Sequence, residues 1–125
     1  MNIRLSTINL LLSVCRLPAD AAIPGWIFNL PFFSITRTVA ELSIVAPESF
    51  IPPDWKAERG WKALKVEGPL DFSLTGILAS LAVPLAESGV SIFAISTYDT
   101  DMILVKADQL EKAISTLTSA GFSID

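Results

Sequence analysis

Residues 90–106 read VSIFAISTYDTDMILVK, two apolar runs separated by a short polar segment. The runs at 90–97 and 102–106 are rich in apolar and β-branched residues, as strands are, and the segment between them is as short as a hairpin turn. The stretch therefore predicts a β-hairpin. It leaves open whether the hydroxyls and acids of residues 96–101 form a solvated turn or a small polar site.

Helical periodicity flanks this hairpin on both sides. Residues 74–86 place apolar side chains at spacings of three and four, with Pro84 as an expected kink and Gly89 as the stop. After the hairpin, a second helix is predicted with Asp108 as its N-cap and Gly121 as its C-cap. The hairpin therefore lies between two amphipathic helices.

The order of these elements predicts the fold class. Residues 61–67 alternate as a half-buried strand before the first helix, and residues 122–125 are available as a last short strand. The order β-α-β-β-α-β predicts an α+β, ferredoxin-like unit, an antiparallel sheet with two helices on one face. Both faces of the strand at 90–97 are apolar, so the face without helices should be covered by the N-terminal half or by a second chain.

The N-terminal half is less periodic and mostly extended. Two adjacent prolines in Ile51-Pro52-Pro53-Asp54 mark a boundary, because proline stops a strand and stiffens a linker. We therefore predict two domains, a strand-rich half at 1–55 and the ferredoxin-like unit at 56–125. Within the first half the candidates are strands at 3–8, 11–17, 32–37 and 41–45, and a short helical turn at 24–27.

Composition excludes several classes of function. The net charge of the 125-residue chain is −4, and its nine basic residues form no run, which argues against nucleic acid or an anionic membrane as a partner. One cysteine and no histidine exclude a disulfide within the chain, a Cys/His zinc site and a Ser-His or Cys-His nucleophile pair. We expect neither a cofactor nor a metal.

One apolar segment needs a decision between a targeting signal and a strand. Residues 8–17 superficially resemble the core of a signal peptide, but Asn9 and Ser13 interrupt the segment and Arg16 directly follows Cys15. A buried strand is the better interpretation. The sequence therefore predicts a cytoplasmic protein in which Cys15 is a reduced core residue.

Several ordered motifs carry a family resemblance that covers nearly the whole chain. The C-terminal half resembles the ACT-domain subfamily of small bacterial and fungal proteins and is similar also to the CASTOR-family cytosolic arginine sensors. The motifs of that half are EGPL at 67–70, LTGIL at 74–78, PLA at 84–86, SIFAISTYDTD at 91–101 and ILV at 103–105. In the N-terminal half VCRLP at 14–18, SITRT at 34–38 and ELSIV at 41–45 resemble the same small proteins.

The resemblance implies two ACT-like units packed together, with a small ligand, usually an amino acid, at an interface between ACT units. The ligand contacts of the arginine sensors, carried over one by one, fall on Gly76, Ser91, Ile92, Thr97, Tyr98 and Asp101. Those sensors hold four ACT units in one chain, whereas this chain has room for about two. A comparable pocket therefore needs the N-terminal half or a homodimer, and arginine itself does not carry over.

Each of these residues also has a plainer role open to it. Asp101 could pair with an ammonium or guanidinium group, or it could be a turn acid that caps its own hairpin. Asp99 and Asp101 together could hold a hard cation, although two carboxylates are few ligands. Gly76 could let helix amides approach a carboxylate, or it could serve only close packing. Ser91, Ser96 and Thr97 have no histidine or evident lysine base beside them, so they are expected to form hydrogen bonds in a strand and not to act as nucleophiles.

Two functions remain. The first is a non-enzymatic regulatory ACT protein that binds or senses a small molecule, which the resemblance implies is an amino acid, and shifts between packings of the interface. The second is an assembly module whose ACT units dimerise or dock on a partner without a ligand. We expect no enzyme, because no acid–base pair or metal cluster stands out. Six aromatic residues are expected to pack in the core or between units: Trp26, Phe28, Phe32, Phe33, Trp55 and Trp61.

Overall fold

A computed structural model of the chain describes residues 3–67 and 76–125. The predicted motif residues at 68–75, including the expected start of the first helix at residue 74, lie outside the described residues. The described elements are β1 (Arg4–Leu17), β2 (Ser34–Arg37), β3 (Leu42–Pro47), β4 (Lys56–Val66), α1 (Ile77–Glu87), β5 (Ile92–Ser96), β6 (Asp101–Lys106), α2 (Leu110–Ser119) and β7 (Ser123–Ile124). Short 3₁₀ turns span Gly25–Asn29, Glu48–Phe50 and Ala107–Gln109.

The contacts divide the chain into two compact units, and the sequence of one is interrupted by the other. One, here called the ACT-side unit, contains residues 1–9 and 62–125; the other, the middle unit, contains residues 10–61. The first residues of the chain therefore belong with its C-terminal half. The contiguous division predicted between residues 55 and 56 stays a prediction.

The ACT-side unit has the predicted antiparallel hairpin and two helices. β5 pairs with β6 in antiparallel register, from Ile92 opposite Val105 to Ser96 opposite Asp101. β6 lies beside β4, and the first residues of β1 lie between β4 and β7: Arg4 pairs in parallel with Ser123, and its carbonyl accepts from the Glu67 amide at 2.8 Å. A strand from the start of the chain thus enters the sheet, which the sequence pattern did not predict.

Both helices pack on one face of this sheet. α1 contributes Ile77, Leu81 and Leu85, and α2 contributes Ala113 and Leu117. Their sheet partners alternate along the strands, as side chains of one face must. These partners are Leu5, Leu64, Val66, Ile103 and Val105.

The helix boundaries follow from local chemistry, with one correction. α1 contains Pro84, as predicted, and the chain leaves it through Gly89, whose φ of 77° suits glycine. Gly121 follows α2 with a φ of 103°. The prediction of Asp108 as N-cap is wrong: Asp108 lies inside the 3₁₀ turn, and Gln109 precedes the helix without a side-chain capping bond. The Ala107–Gln109 turn takes the chain from β6 into the helix, so the cap position falls one residue later.

Strand boundaries also shift. The two strands expected at 3–8 and 11–17 are one strand, β1, because β3 continues the pairing from Leu12 opposite Pro47 to Leu17 opposite Leu42. The strand expected at 90–97 is shorter, since the Val90 amide donates to the Leu85 carbonyl and closes α1 instead. The boundaries of β2 and β3 differ from those predicted by one or two residues.

The middle unit has its own core. β3 lies between β2 and the second part of β1, and the buried residues around it are Cys15, Ile27, Leu42, Ile44, Ala46 and Ile51. The 3₁₀ turn Gly25–Asn29 forms where a helical turn was predicted, and it buries Ile27.

The aromatic residues of the middle unit pack in pairs. Trp26 stacks on Trp55 with ring centroids 5.9 Å apart, and Phe28 meets Phe33 edge to face at 5.7 Å. Trp26 and Phe28 remain 38% and 57% exposed, so these two residues lie outside the core and packing between units stays a prediction for them.

No helix within residues 3–67 and 76–125 is long and apolar enough to cross a membrane.

Candidate functional site

The turn between β5 and β6 is held by two threonines. The Thr97 amide donates to the Thr100 carbonyl at 2.8 Å, and the Thr97 hydroxyl donates to the same carbonyl at 3.1 Å. The Thr100 amide in turn donates to the Thr97 hydroxyl oxygen at 3.3 Å. Tyr98 and Asp99 occupy the two central positions. The turn is therefore fixed by its own side chains, which limits how far the residues beside it can move.

A side-chain pair closes the hairpin just inside this turn. The Ser96 hydroxyl donates to Oδ1 of Asp101 at 2.6 Å, the length of a charge-assisted bond. The two residues face each other in the β5–β6 register, and Asp101 is half-buried. Asp101 therefore bonds within its own hairpin, through a side chain, and its role in ligand binding stays a prediction.

Thr100 attaches the turn to the neighbouring strand. Its side chain is 7% exposed, and its hydroxyl donates to the carbonyl of Val66 at the end of β4. The hairpin turn and the end of β4 therefore lie at the same end of the sheet. Tyr98 projects from this end and is 79% exposed.

Gly76 precedes α1 with a φ of 79°, a left-handed conformation that side chains disfavour. A Cβ atom at this position would meet nothing within 4 Å, so glycine is required by the backbone conformation and not by close packing. The other end of α1 leads through Ser88 and Gly89 directly to the start of β5. Because α1 is about 16 Å long and packs along the sheet, its first residue lies at the other end of the sheet from the start of β5. Gly76 therefore lies at the same end of the sheet as the hairpin turn.

Ser91 and Ile92 lie at the opposite end of the sheet. Ser91 is exposed, and Ile92 packs partly against the helix-side core. Thr97 follows Ser91 by six residues along an extended strand, a distance of about 20 Å at ~3.4 Å per residue. The predicted site residues thus form two groups. Gly76, Thr97, Tyr98 and Asp101 belong to the hairpin end, and Ser91 and Ile92 form the far end.

One free amino acid is much shorter than this separation, so the two groups cannot contact the same amino acid within one ACT-side unit. We call these two groups the candidate half-sites, and their role in binding a ligand stays a prediction. The far end supplies a strand start with one exposed hydroxyl, and the hairpin end supplies a carboxylate, hydroxyls and a helix N-terminus.

Two further residues belong to the hairpin end. Ser96 and Thr100 were not among the predicted site residues, yet Ser96 contacts Asp101 directly and Thr100 anchors the turn. Hairpin pairing rules applied to the sequence could have indicated both residues. In a hairpin whose central residues are Tyr98 and Asp99, pairing outward places Thr97 opposite Thr100 and Ser96 opposite Asp101.

The described residues, 3–67 and 76–125, contain no group of three or more His, Cys, Asp or Glu side chains that could hold a metal ion. The alternative of a hard cation therefore rests on Asp99 and Asp101 alone.

A partly open cavity of about 270 Å³ lies on the helix side of the ACT-side unit. Its lining contains no predicted site residue and is Ile3, Ser80, Pro84, Ala120, Gly121 and Phe122. The cavity is therefore distinct from both half-sites.

Two family models match this chain side by side. The model described as "ACT domain" matches residues 56–119, and a model for the N-terminal domain of a group of related proteins matches residues 12–54. The first match contains all six predicted site residues.

Similar proteins include a mammalian arginine sensor and bacterial proteins of known structure. The chain is 36% identical over 97 residues to the "Cytosolic arginine sensor for mTORC1 subunit 1" of Bos taurus, a match that covers 69% of this chain and 30% of that protein. The chain thus spans less than a third of the length of that sensor. A crystal structure of an Agobacterium tumefaciens protein covers all of this chain and 93% of its own, with 42% identity and a TM-score of 0.93.

The fold also occurs in the regulatory subunit of aspartate kinase from Thermus thermophilus. That structure has 12% identity and a TM-score of 0.61, and the match covers 88% of this chain and 91% of that chain. At this identity the likeness concerns the fold alone.

Proposed function

Because the chain belongs to the ACT-domain family, we propose that it is a non-enzymatic regulatory protein that binds a small molecule, an amino acid, between two ACT units. The observation that carries this proposal is the separation of the site residues into two half-sites at opposite ends of β5. The relative named as a cytosolic arginine sensor supports both the sensing role and a cytoplasmic location.

β5 is suited to pairing with a second chain. Among the strands that the structure describes, it is the last on its side of the sheet, and Ile92–Ser96 contains no charge and no proline to block pairing. The Thr97 amide donates to the Thr100 carbonyl, so these two residues are a hydrogen-bonded pair of the antiparallel ladder. Hydrogen-bonded and non-hydrogen-bonded pairs alternate along such a ladder, so residues 96, 94 and 92 belong to non-hydrogen-bonded pairs. The amides of residues 92, 94 and 96 are therefore directed away from β6 and are available to a partner.

A second copy would complete the site. When two β5 strands pair in antiparallel fashion about a two-fold axis, the start of one strand lies beside the end of the other. Ser91 and Ile92 of one copy then meet Thr97, Tyr98 and Asp101 of the second. The homodimer forms two equivalent pockets, each built from one far end and one hairpin end.

This arrangement gives the protein a way to respond to its ligand. A ligand that contacts both half-sites binds the paired state better than the separate chains, and so it shifts the population toward the dimer. The shift is reciprocal, because dimerisation raises the ligand affinity by the same factor.

A thermal-shift screen against the twenty amino acids tests the binding claim. A ligand at a hundred times its dissociation constant stabilises the folded protein by about 2.7 kcal/mol, which is several degrees for a chain of this size. Sedimentation velocity with and without the best ligand should then show a larger dimer fraction when the ligand is present. If none of the twenty amino acids produces a shift, the proposal fails in its amino-acid form.

The substitution Ala94→Pro tests the route of pairing. Proline at this position removes an outward-facing amide and leaves the bonds to β6 in place, whereas Ala94→Val keeps the amide and serves as the matched control. We expect Ala94→Pro to be monomeric and to lose ligand binding while retaining its folded circular-dichroism spectrum. If Ala94→Pro remains a dimer, and a substitution outside β5 makes the protein monomeric, the interface does not lie at β5.

The second candidate, a ligand-free assembly module, is favoured by one observation. The polar side chains of Ser96, Thr97, Thr100 and Asp101 already bond to one another or to the backbone. A dimer that forms fully without amino acids, and that no amino acid stabilises, would support this alternative.

A further inference from the structure

The cavity on the helix side of the ACT-side unit lies between α1 and the end of α2. Ser80 and Pro84 of α1 line it on one side, and Ala120, Gly121 and Phe122, which directly follow α2, line it on another. Its volume is about 270 Å³, more than the roughly 150 Å³ of an apolar cavity that holds benzene. All of its lining residues belong to the ACT-side unit, so one chain provides room for a small organic molecule.

Pro84 leaves one backbone acceptor at this cavity without its ordinary partner. A helical carbonyl accepts from the amide four residues later, and the residue four after Ser80 is Pro84, which has no N–H. The two residues lie one turn apart on the same face of α1, and both line the cavity. The Ser80 carbonyl therefore lies along the cavity without its helical donor.

The donors beside this carbonyl are already used. The Ser80 amide donates to the Gly76 carbonyl at 2.8 Å, and the Ser80 hydroxyl donates to the Ile77 carbonyl at 2.6 Å. The amides of residues 120, 121 and 122 donate to carbonyls of α2 at 3.0–3.1 Å. These four lining residues therefore present oxygen acceptors to the cavity and have no N–H or O–H left to donate.

The end of α2 adds a partial negative charge. The helix ends at Ser119, and Ala120 and Gly121 follow it into the cavity lining, so the cavity lies at the negative end of the helix dipole. An ammonium group supplies three donors and a positive charge, whereas a carboxylate would face acceptors. Ile3 and Phe122 make the rest of the lining apolar, which suits a hydrocarbon body.

We infer that this cavity is a second ligand site, separate from the proposed amino-acid site, and that it binds a small primary amine without a carboxylate, in its ammonium form. The ammonium group donates to the Ser80 carbonyl, and the hydrocarbon part packs on Ile3 and Phe122. Because all lining residues come from one ACT-side unit, binding here does not require the pairing of two chains.

The test is an NMR titration of the isotope-labelled full chain at neutral pH, where a primary amine is protonated. The probes are phenethylamine, phenethyl alcohol and hydrocinnamate, which share a phenyl group and differ in the charge of the polar end. The amide signals of Gly121 and Phe122 report occupation of the cavity. We expect the amine to bind about tenfold more tightly than the alcohol, the range of one charge-assisted hydrogen bond, and the anion to bind most weakly.

The substitution Pro84→Val tests the acceptor. Valine has nearly the volume of proline and restores the amide that donates to the Ser80 carbonyl, so the preference for the amine over the alcohol should fall to about twofold or less. The same variant should unfold at a higher urea concentration, because the helix gains a hydrogen bond. An unchanged preference in the folded variant would overturn the role of the Ser80 carbonyl.

The substitution Ala120→Leu tests the location. Ala120 has a φ of −83°, which any residue adopts, and leucine there places a larger side chain at the cavity. Both the amine and the alcohol should lose about tenfold or more in affinity, a loss of about 1.4 kcal/mol. Ala86→Leu, on the exposed surface of α1 and outside the lining, is the matched control and should bind as the unsubstituted protein does.

Three results would overturn the site: equal affinities for the amine and the alcohol, no change of the Gly121 and Phe122 signals with any probe, or equal losses in Ala120→Leu and Ala86→Leu. The variant Ala94→Pro separates this inference from the proposed function. It should keep its affinity for phenethylamine while it loses amino-acid binding. Loss of phenethylamine binding in Ala94→Pro would refute a site within one chain.

Discussion

The two strands of the hairpin pair residue for residue, yet they lie in different environments. Met102, Ile103, Leu104 and Val105 of β6 are all buried, whereas no residue of β5 is fully buried and Ala94 and Ser96 are exposed. The composition of β5 is nevertheless as apolar as that of β6. Folding of this chain alone explains the apolar residues of β6, whereas the apolar residues of β5 are those expected if the proposed second chain covers them.

The largest expected difference between the two strands is in core packing. Ile103→Ala in β6 removes a fully buried side chain and should lower the free energy of unfolding by about 2–5 kcal/mol. Ile95→Ala in β5 removes the same atoms from a half-buried position and should cost about 1 kcal/mol. Urea denaturation at low protein concentration measures both. Equal losses would contradict the difference in burial.

A smaller effect is expected where the turn is anchored. Thr100→Val keeps the shape of a buried side chain but leaves the Val66 carbonyl without its hydroxyl donor, at a cost of about 1–3 kcal/mol. Thr118→Val, on the exposed surface of α2, is the matched control and should be nearly neutral. If the two variants unfold at the same urea concentration, the turn is not anchored through Thr100.

The smallest effect concerns a buried cysteine in the middle unit. Burial raises the pKa of the Cys15 thiol in β1 from its ordinary 9.0 to about 11, and the Arg59 guanidinium lowers it in part. Between these values the folded chain keeps the proton that the unfolded chain releases, so the free energy of unfolding falls as pH rises. The loss should be about 1 kcal/mol near pH 10.

The replacement Cys15→Ala should remove this alkaline dependence while costing some core packing, and urea denaturation between pH 8 and pH 10 compares the two proteins. A similar slope in both would assign the dependence to another group. If β1 is as well packed as β6, Cys15 should also react slowly with a thiol reagent at neutral pH.

Local patterns predicted the hairpin, the two helices and the glycines that follow them, because each depends on residues close in sequence. The entry of β1 between β4 and β7 depends on contacts between the two ends of the chain, for which a single sequence carries no periodic signal. Asp108 looked like a helix cap because its residue type favours that position, and the 3₁₀ turn that precedes α2 overrode this preference.

The candidate site was predictable to a similar degree. Thr97, Tyr98 and Asp101 lie close together because they share one turn, and their role in binding stays a prediction. Their separation from Ser91 could have been read from the length of the strand between them. The bond between Ser96 and Asp101 depends on register and rotamer, which the sequence restricts but does not determine.

The pairing of Arg4 and Leu5 with Ser123 and Ile124 also affects how the chain is made. On the ribosome, Arg4 and Leu5 emerge more than a hundred residues before their parallel partners, so one edge of β1 stays uncovered until Ser123 and Ile124 have been synthesised. Contacts between such distant residues form slowly, because a long loop must close first. The pairing of β1 with β7 is therefore expected to be among the last contacts of the ACT-side unit to form.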